Sequence, residues 1–394
     1  MKSIAHVYPW DVVGDPFAAG RFAGLGVDAV ALAAAYHTVR ASTPLHPAHR
    51  LVDARHAAFY LPVREEAWAG KRLRPAEPSW VSGDSFQADD SFGMARDALK
   101  AAGLPVYAWT VLTHSSRLGD QHPDVTVVNA FGDRYPYALC PSNQDVVDYC
   151  RTLVEEIVQV GQPDGIILEA CGPLGFVHGG HHEKTEGADW GPVRQQLLSI
   201  CFCAGCTARY DNPDELRVRI RAAVDEGEPE SVAAVLGDWT ASVSAVRTSI
   251  AGDLRKLLVG RIRELSPELR VIMHATADPW GTGPFATVAP EVGADVDVLV
   301  AMAWHGPAAS TPNIRALREI APEARIAGYV LALPPKPVDG AAMLAEMRAL
   351  AEEGVQEFHL YHAGLASGAR LEAVREAVSG LRATPTGEGS VSGT

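Results

Sequence analysis

Residues 164–169 read Asp164-Gly165-Ile166-Ile167-Leu168-Glu169, a short apolar run closed by a carboxylate. Isoleucine and leucine at successive positions suit a strand buried on both faces, as in parallel sheets covered by helices. A buried strand that ends in an acid is how a (β/α)8 barrel presents a catalytic group at its C-terminal face. The loop that follows is rich in glycine and carries Cys171, His178, His181 and His182, and beyond it lies the triplet Cys201, Cys203 and Cys206.

Working outward, comparable runs of Val, Ile and Tyr fall at residues 4–8, 28–34, 105–112, 270–274, 296–302, 325–331 and 357–361, making eight in all. Residues 95–102, 145–160, 314–320 and 341–353 between them place apolar side chains three and four apart, the helical spacing. Alternating strands and helices imply a parallel sheet covered on both faces. Eight such units favour a closed (β/α)8 TIM barrel, an α/β fold, over an open doubly wound sheet. The first strand is also not followed by the G-x-G-x-x-G turn of dinucleotide-binding folds. The expected organisation is a single barrel over residues 1–382. Helical and loop insertions at about 43–92 and 171–266 would fall on its C-terminal face, and residues 383–394 read as a disordered polar tail.

A chain of 394 residues, 47% hydrophobic, suits one barrel of about 250 residues plus insertions. The net charge of −14 argues against nucleic acid and against anionic membranes as partners. The first residues lack a basic stretch followed by an apolar one, so no signal peptide is expected. No apolar run approaches the roughly 20 residues that span a bilayer. A cytoplasmic location is expected. The long helical pattern at 231–265 offers a surface for a homodimer.

The strand ends supply the candidate site. In chain order they bring His6 and Trp10, then Tyr36 and His37, then Trp109 and His114, then Glu169. The later strands add His274, Asp278, Trp304, His305, Tyr329, Tyr361 and His362. Rings and imidazoles predominate, and there is no lysine. Aromatic faces stack on the C–H faces of sugars, while imidazoles and carboxylates bond hydroxyls. A small neutral carbohydrate is therefore the expected ligand. His6 and Trp109 lie within strands and read equally well as barrel-filling core.

Glu169 would be costly to bury unpaired, which makes it the leading catalytic candidate. Hydrolysis of a glycosidic bond generally needs a second carboxyl group, about 5–5.5 Å away for retention and about 6.5–9.5 Å for inversion. Asp278 is the leading partner, ahead of Asp11 and of Glu186 or Asp189 on the long loop. An Asp before a proline is also a common turn residue.

Cys201-Phe-Cys203-Ala-Gly-Cys206 has thiolate spacing that suits a structural zinc ion. The expected fourth ligand is Cys171 or one of His178, His181 and His182. In Leu139-Cys140-Pro141-Ser142-Asn143, Ser142 or Asn143 reads as a helix cap and Cys140 as packing. No catalytic cofactor is required.

These segments, 164–169, 201–206 and 139–143, resemble the poorly characterised glycoside-hydrolase-like TIM-barrel proteins over about residues 106–210. In those proteins the fourth strand commonly ends in an acid, and a CFCxxC segment opens the following helix. The resemblance implies a carbohydrate substrate, with Glu169 as general acid/base or nucleophile. The chain departs from many retaining glycosidases of this fold, which place a second glutamate at the end of the seventh strand, where this sequence has Tyr329 and Leu331. Two other classes compete. A metal-dependent barrel hydrolase or isomerase would use His6, His274, His305 or His362 with Glu169. A carbohydrate-binding pseudoenzyme would need no second acid.

Overall fold

The computed structural model describes residues 1–80, 90–177, 184–289 and 295–383. Eight parallel strands close into a barrel: β1 (Lys2–Val7), β2 (Ala29–Tyr36), β3 (Val106–Val111), β4 (Gly165–Glu169), β5 (Arg270–Thr276), β6 (Val298–Met302), β7 (Arg325–Leu331) and β8 (Glu357–Tyr361). Closure is set by β1, which pairs with β8 through Ile4 and His359 and with β2 through Ile4 and Ala29. Burial on both faces explains the continuous apolar runs. Every residue of β2, β3 and β4 is buried.

Seven helices cover the strands: α1 (Ala18–Ala23), α2 (Ser91–Ala101), α3 (Gln144–Glu156), α4 (Trp239–Leu265), α5 (Pro307–Ile320), α6 (Gly340–Glu352) and α7 (Gly368–Arg382). Their starts are legible chemistry. Asp90, Asn143, Asp339 and Ser367 accept backbone N–H bonds at the starts of α2, α3, α6 and α7, satisfying otherwise orphaned donors. The helical pattern at 231–265 is two helices, Val232–Leu236 and α4, separated by Gly237 at φ +56°. α4 belongs to the barrel wall, burying Leu254, Leu258, Val259 and Ile262.

Between β2 and α2 the chain makes an antiparallel hairpin, Val39–Ser42 with Leu51–Ala54, and then a two-residue strand, Ala58–Phe59, that pairs with the end of β2. After β3 a second hairpin, Thr126–Val128 with Arg134–Leu139, carries Cys140 at its exit. β5 is followed by a loop whose short strand Ala286–Thr287 returns alongside it. His178, His181 and His182, and the tail apart from Ala383, lie outside the described residues.

The barrel floor is polar. Arg270 at the start of β5 pairs with Glu357 at the start of β8, and its guanidinium lies 5.9 Å from the Tyr107 ring. Gly165 permits this arrangement, because a Cβ there would stand 2.9 Å from that ring. A cavity of about 950 Å³ opens at this end among Lys2, Arg263, Arg270 and Arg325, away from the strand end that carries Glu169.

Candidate active site

Glu169 closes β4 at the opposite end and is 5% exposed. Its Oε2 accepts a 2.6 Å bond from Trp109 Nε1 on the neighbouring strand β3. His274 Nδ1, on the other neighbour β5, lies 3.4 Å from the same oxygen without hydrogen-bond alignment. Loss of water on burial pushes the Glu169 carboxyl up to about 7, against the partial opposition of the Trp109 bond. Among the described residues the charge of no other carboxylate contributes to that shift. Burial drives His274 well below the ordinary imidazole range, helped by His359, so the neighbour of Glu169 is a neutral ring. A carboxyl poised near neutrality with no fixed cation beside it can give up a proton to a leaving oxygen.

Around this acid the barrel mouth is a continuous mesh of rings. His6 meets Trp109 edge-on at 4.6 Å and Tyr329 at 5.0 Å. β1 and β3 flank β2, whose Ala29–Tyr36 run is mostly alanine, and such small side chains leave room for the larger rings. Tyr8 stacks on His362 at 4.2 Å and approaches Trp109 at 5.7 Å, while Tyr36 meets Trp109 at 4.6 Å. On the far side Tyr329, Tyr361 and Trp304 pack with centroids 4.9–5.6 Å apart. Tyr36, Tyr329 and Tyr361 all feel the charge of Glu169, but burial is the larger reason their hydroxyls stay protonated. They remain hydrogen-bond donors.

Several polar atoms of this mesh are buried without a partner: His6 Nδ1, Trp304 Nε1 and both ring nitrogens of His274 and His362. Buried polar groups are nearly always satisfied in folded proteins. Several of the exceptions gather around this one acid.

The remaining expected residues divide. His37 and His114 face each other at 4.3 Å next to Tyr36. Trp10 turns away from Glu169, stacking on Tyr8 and meeting Tyr60 and Trp80 edge-on, so it is a buttress of the mouth. His305 is exposed, whereas Trp304 is half-buried; the chain leaving β6 exposes one of that pair and not both. Asp278 follows β5 in a turn, accepting from its own Trp280 N–H at 2.9 Å and from Gln196 at 3.1 Å. Arg247 on α4 holds the loop by donating to the carbonyls of Ser199, Pro279 and Gly281. Glu186 and Asp189 are solvent-exposed. Asp11 is buried, and loss of water pushes it up to about 7 despite its bond from Tyr8 N–H. Among the described residues no second carboxylate bonds to Glu169.

Two site residues were not anticipated. Tyr8 sits two residues beyond His6, the strand period, and that spacing marks it as a wall residue. Phe285 stacks on His274 at 4.8 Å from an irregular loop, where no periodicity signals it.

In the cysteine expectation Cys171 as fourth ligand needs correcting, while His178, His181 and His182 lie outside the described residues. Cys201, Cys203 and Cys206 gather with Cys140, all four ligand atoms lying within 4.8 Å of one another. Cys171 is buried elsewhere, near Cys150 and Arg255. Cys140 Sγ is 3.6–3.8 Å from the other three sulfurs, and the Cys203 N–H donates to Cys201 Sγ at 3.4 Å. Four sulfurs about 2.3 Å from a tetrahedral ion would be about 3.8 Å apart, so the spacing fits zinc. Cys140 was read as packing because the hairpin that delivers it is remote in sequence. Among the described residues this is the one such cluster; His6, His274, His305, His362 and Glu169 do not converge into a ligand set.

The fold is similar to that of solved sugar-processing enzymes. α-L-Fucosidase isoenzyme 2 from Paenibacillus thiaminolyticus superposes with a TM-score of 0.58 at 12% identity, over 97% of this chain and 50% of that one. A β-galactosidase from the psychrophilic Marinomonas ef1 gives 0.57 at 13% identity, over 97% and 60%. The catalytic domain of β-amylase from Paenibacillus polymyxa gives 0.54 at 13%, over 98% and 99%. The likeness is one of fold. The chain thus spans half to three-fifths of the fucosidase and the β-galactosidase. The sequence matches no protein-family model and no curated protein. What the chain shares with these proteins is the (β/α)8 barrel.

Proposed function

We propose that this protein is a glycoside hydrolase acting on a small, uncharged carbohydrate, with Glu169 as the general acid. The observation that carries the reading is a carboxyl at the end of β4, raised to about 7 by burial and enclosed by rings and unpartnered polar atoms. Partial protonation at neutral pH lets Glu169 protonate the leaving oxygen. Tyr36, Tyr329 and Tyr361 supply donors to hydroxyls, and Trp109 and Trp304 supply faces for the ring. The absence of Lys and Arg from this mesh suits an uncharged ligand. Asp278, in the loop after β5, is the partner proposed to activate water. It is half-exposed and therefore hydrated.

Support also exists for a second reading, a carbohydrate-binding protein without turnover. Among the described residues no other carboxylate perturbs Glu169, and β7 offers Tyr329 in place of an acid. Turnover and binding of a panel of 4-nitrophenyl glycosides by wild type and Glu169→Gln separate the two. Hydrolysis by wild type, reduced about 10²–10⁴-fold in the variant with binding retained, supports the enzyme. Binding by both proteins with turnover by neither supports the second reading.

The four thiols would hold a structural zinc ion, tying the exit of the second hairpin to the segment that opens the helix Ala204–Thr207. When bound, the metal supplies a cross-link. No step of hydrolysis involves it.

A further inference from the structure

Beneath Glu169 the barrel interior holds a hydrogen-bonded column that the chemistry above does not use. Its base is the Arg270–Glu357 pair on the floor, Nη2 to Oε2 at 2.5 Å. The other Glu357 oxygen lies 3.1 Å from His359 Nε2, and His359 Nδ1 lies 3.3 Å from His6 Nε2. Glu357, His359 and His6 are at most 1% exposed, so no bulk water competes for these bonds.

The column has a direction. Glu357 is ionised and can only accept, so His359 Nε2 carries a proton and donates. The Arg270–Glu357 pair is already balanced, and an extra proton on the imidazoles would be an uncompensated charge in the barrel core. His359 Nδ1 is then an acceptor, and His6 Nε2–H donates to it. The other nitrogen of His6, Nδ1, is left with a lone pair. It is buried and has no partner. The His6 ring stands against Trp109, the ring that donates to Glu169, and against Tyr329.

We propose that Arg270, Glu357 and His359 are positioning residues that lock His6 in its Nε2–H tautomer, so that His6 Nδ1 accepts a hydrogen bond from a hydroxyl of the carbohydrate beside Glu169. The carbohydrate half rests on the function proposed above; the tautomer half does not. A hydrogen-bond acceptor held in one tautomer distinguishes a sugar bearing a hydroxyl at that position from one lacking it, because the deoxy sugar leaves the lone pair unpaired.

Side-chain ¹⁵N–¹H correlation spectra of ¹⁵N-histidine-labelled protein test the tautomer in the unmodified chain. His6 is expected with its proton on Nε2 throughout, and addition of D-galactose or L-fucose is expected to shift its Nδ1 resonance. In Glu357→Gln the His6 signal should become a mixture of tautomers, while the Trp109 Nε1–H resonance stays in place. On an aryl glycoside that wild type hydrolyses, the same variant should raise KM about tenfold with a smaller change in kcat. A His6 with its proton on Nδ1 in wild type overturns the proposal, whether or not the variants fold. So does a fixed Nε2–H tautomer that responds to no sugar, or an unchanged KM in a variant whose His6 has lost its tautomer. Failure to hydrolyse any glycoside removes the enzyme reading alone and leaves the tautomer result standing.

Discussion

At the scale of one residue, the energetics turn on Glu169. Its folded pKa of about 7 exceeds the ordinary value of 4.5. The unfolded chain therefore loses this proton at lower pH than the folded one. Below about pH 4.5 both states are protonated and the group is neutral to stability. As pH rises from about 4.5 to about 7 the folded protein loses stability, by at most about 3 kcal/mol for a shift of this size. Glu169→Gln keeps an acceptor for Trp109 Nε1–H and removes the charge. Urea denaturation should find the variant more stable than wild type at pH 8 and equal to it at pH 4.5. Equal stability at both pH values would mean that Glu169 is ionised without cost. Asp11 is raised in the same way, so it is the difference between the two proteins that isolates Glu169. Trp109→Phe removes the one bond that lowers the Glu169 pKa and should move the alkaline limb of any pH–rate profile upward from about 7.

At the scale of elements, glycine and cysteine make the sharpest claims. Gly165 opens β4 where the Tyr107 ring and the Arg270 carbonyl leave no room for a methyl group, at 2.9 and 3.2 Å. Gly165→Ala should cost about 1–3 kcal/mol in denaturant unfolding, through displacement of the floor and not of the mouth. The four-thiol cluster joins two segments remote in sequence, beside the Phe202 N–H bond to the Val128 carbonyl. Purified protein should contain one zinc per chain by elemental analysis, and Cys206→Ser should lose it together with several degrees of Tm. Full metal content in Cys206→Ser would place the ion elsewhere. Hydrolytic activity per folded molecule should survive the substitution.

At the scale of the whole molecule, the barrel was legible because burial on both faces writes each strand as an unbroken apolar run, 164–169 most clearly. Boundaries moved by one or two residues, as where β2 runs on through Ala35 and Tyr36. The aromatic character of the mouth was legible too, since it follows from what stands at strand ends. What depends on closure was not. Cys140 reaches Cys201 across 61 residues of chain, and the Glu357–His359–His6 column exists only because β8 pairs with β1. Phe285 sits in an irregular loop, so no pattern points to it. Nothing in the described residues supplies the missing acid of β7, and no helix among them is long and apolar enough to cross a membrane.

The central claim is that Glu169 delivers a proton to the departing oxygen, and leaving-group dependence tests it most directly. Rates for wild type and Glu169→Gln should be compared on a 2,4-dinitrophenyl glycoside, whose phenolate departs unaided, and on the matching phenyl glycoside, whose phenolate needs the proton. A loss of about 10²-fold or more on the phenyl glycoside, with little loss on the dinitrophenyl one, is the predicted result. An equal loss on both substrates, or no loss on either, would contradict it.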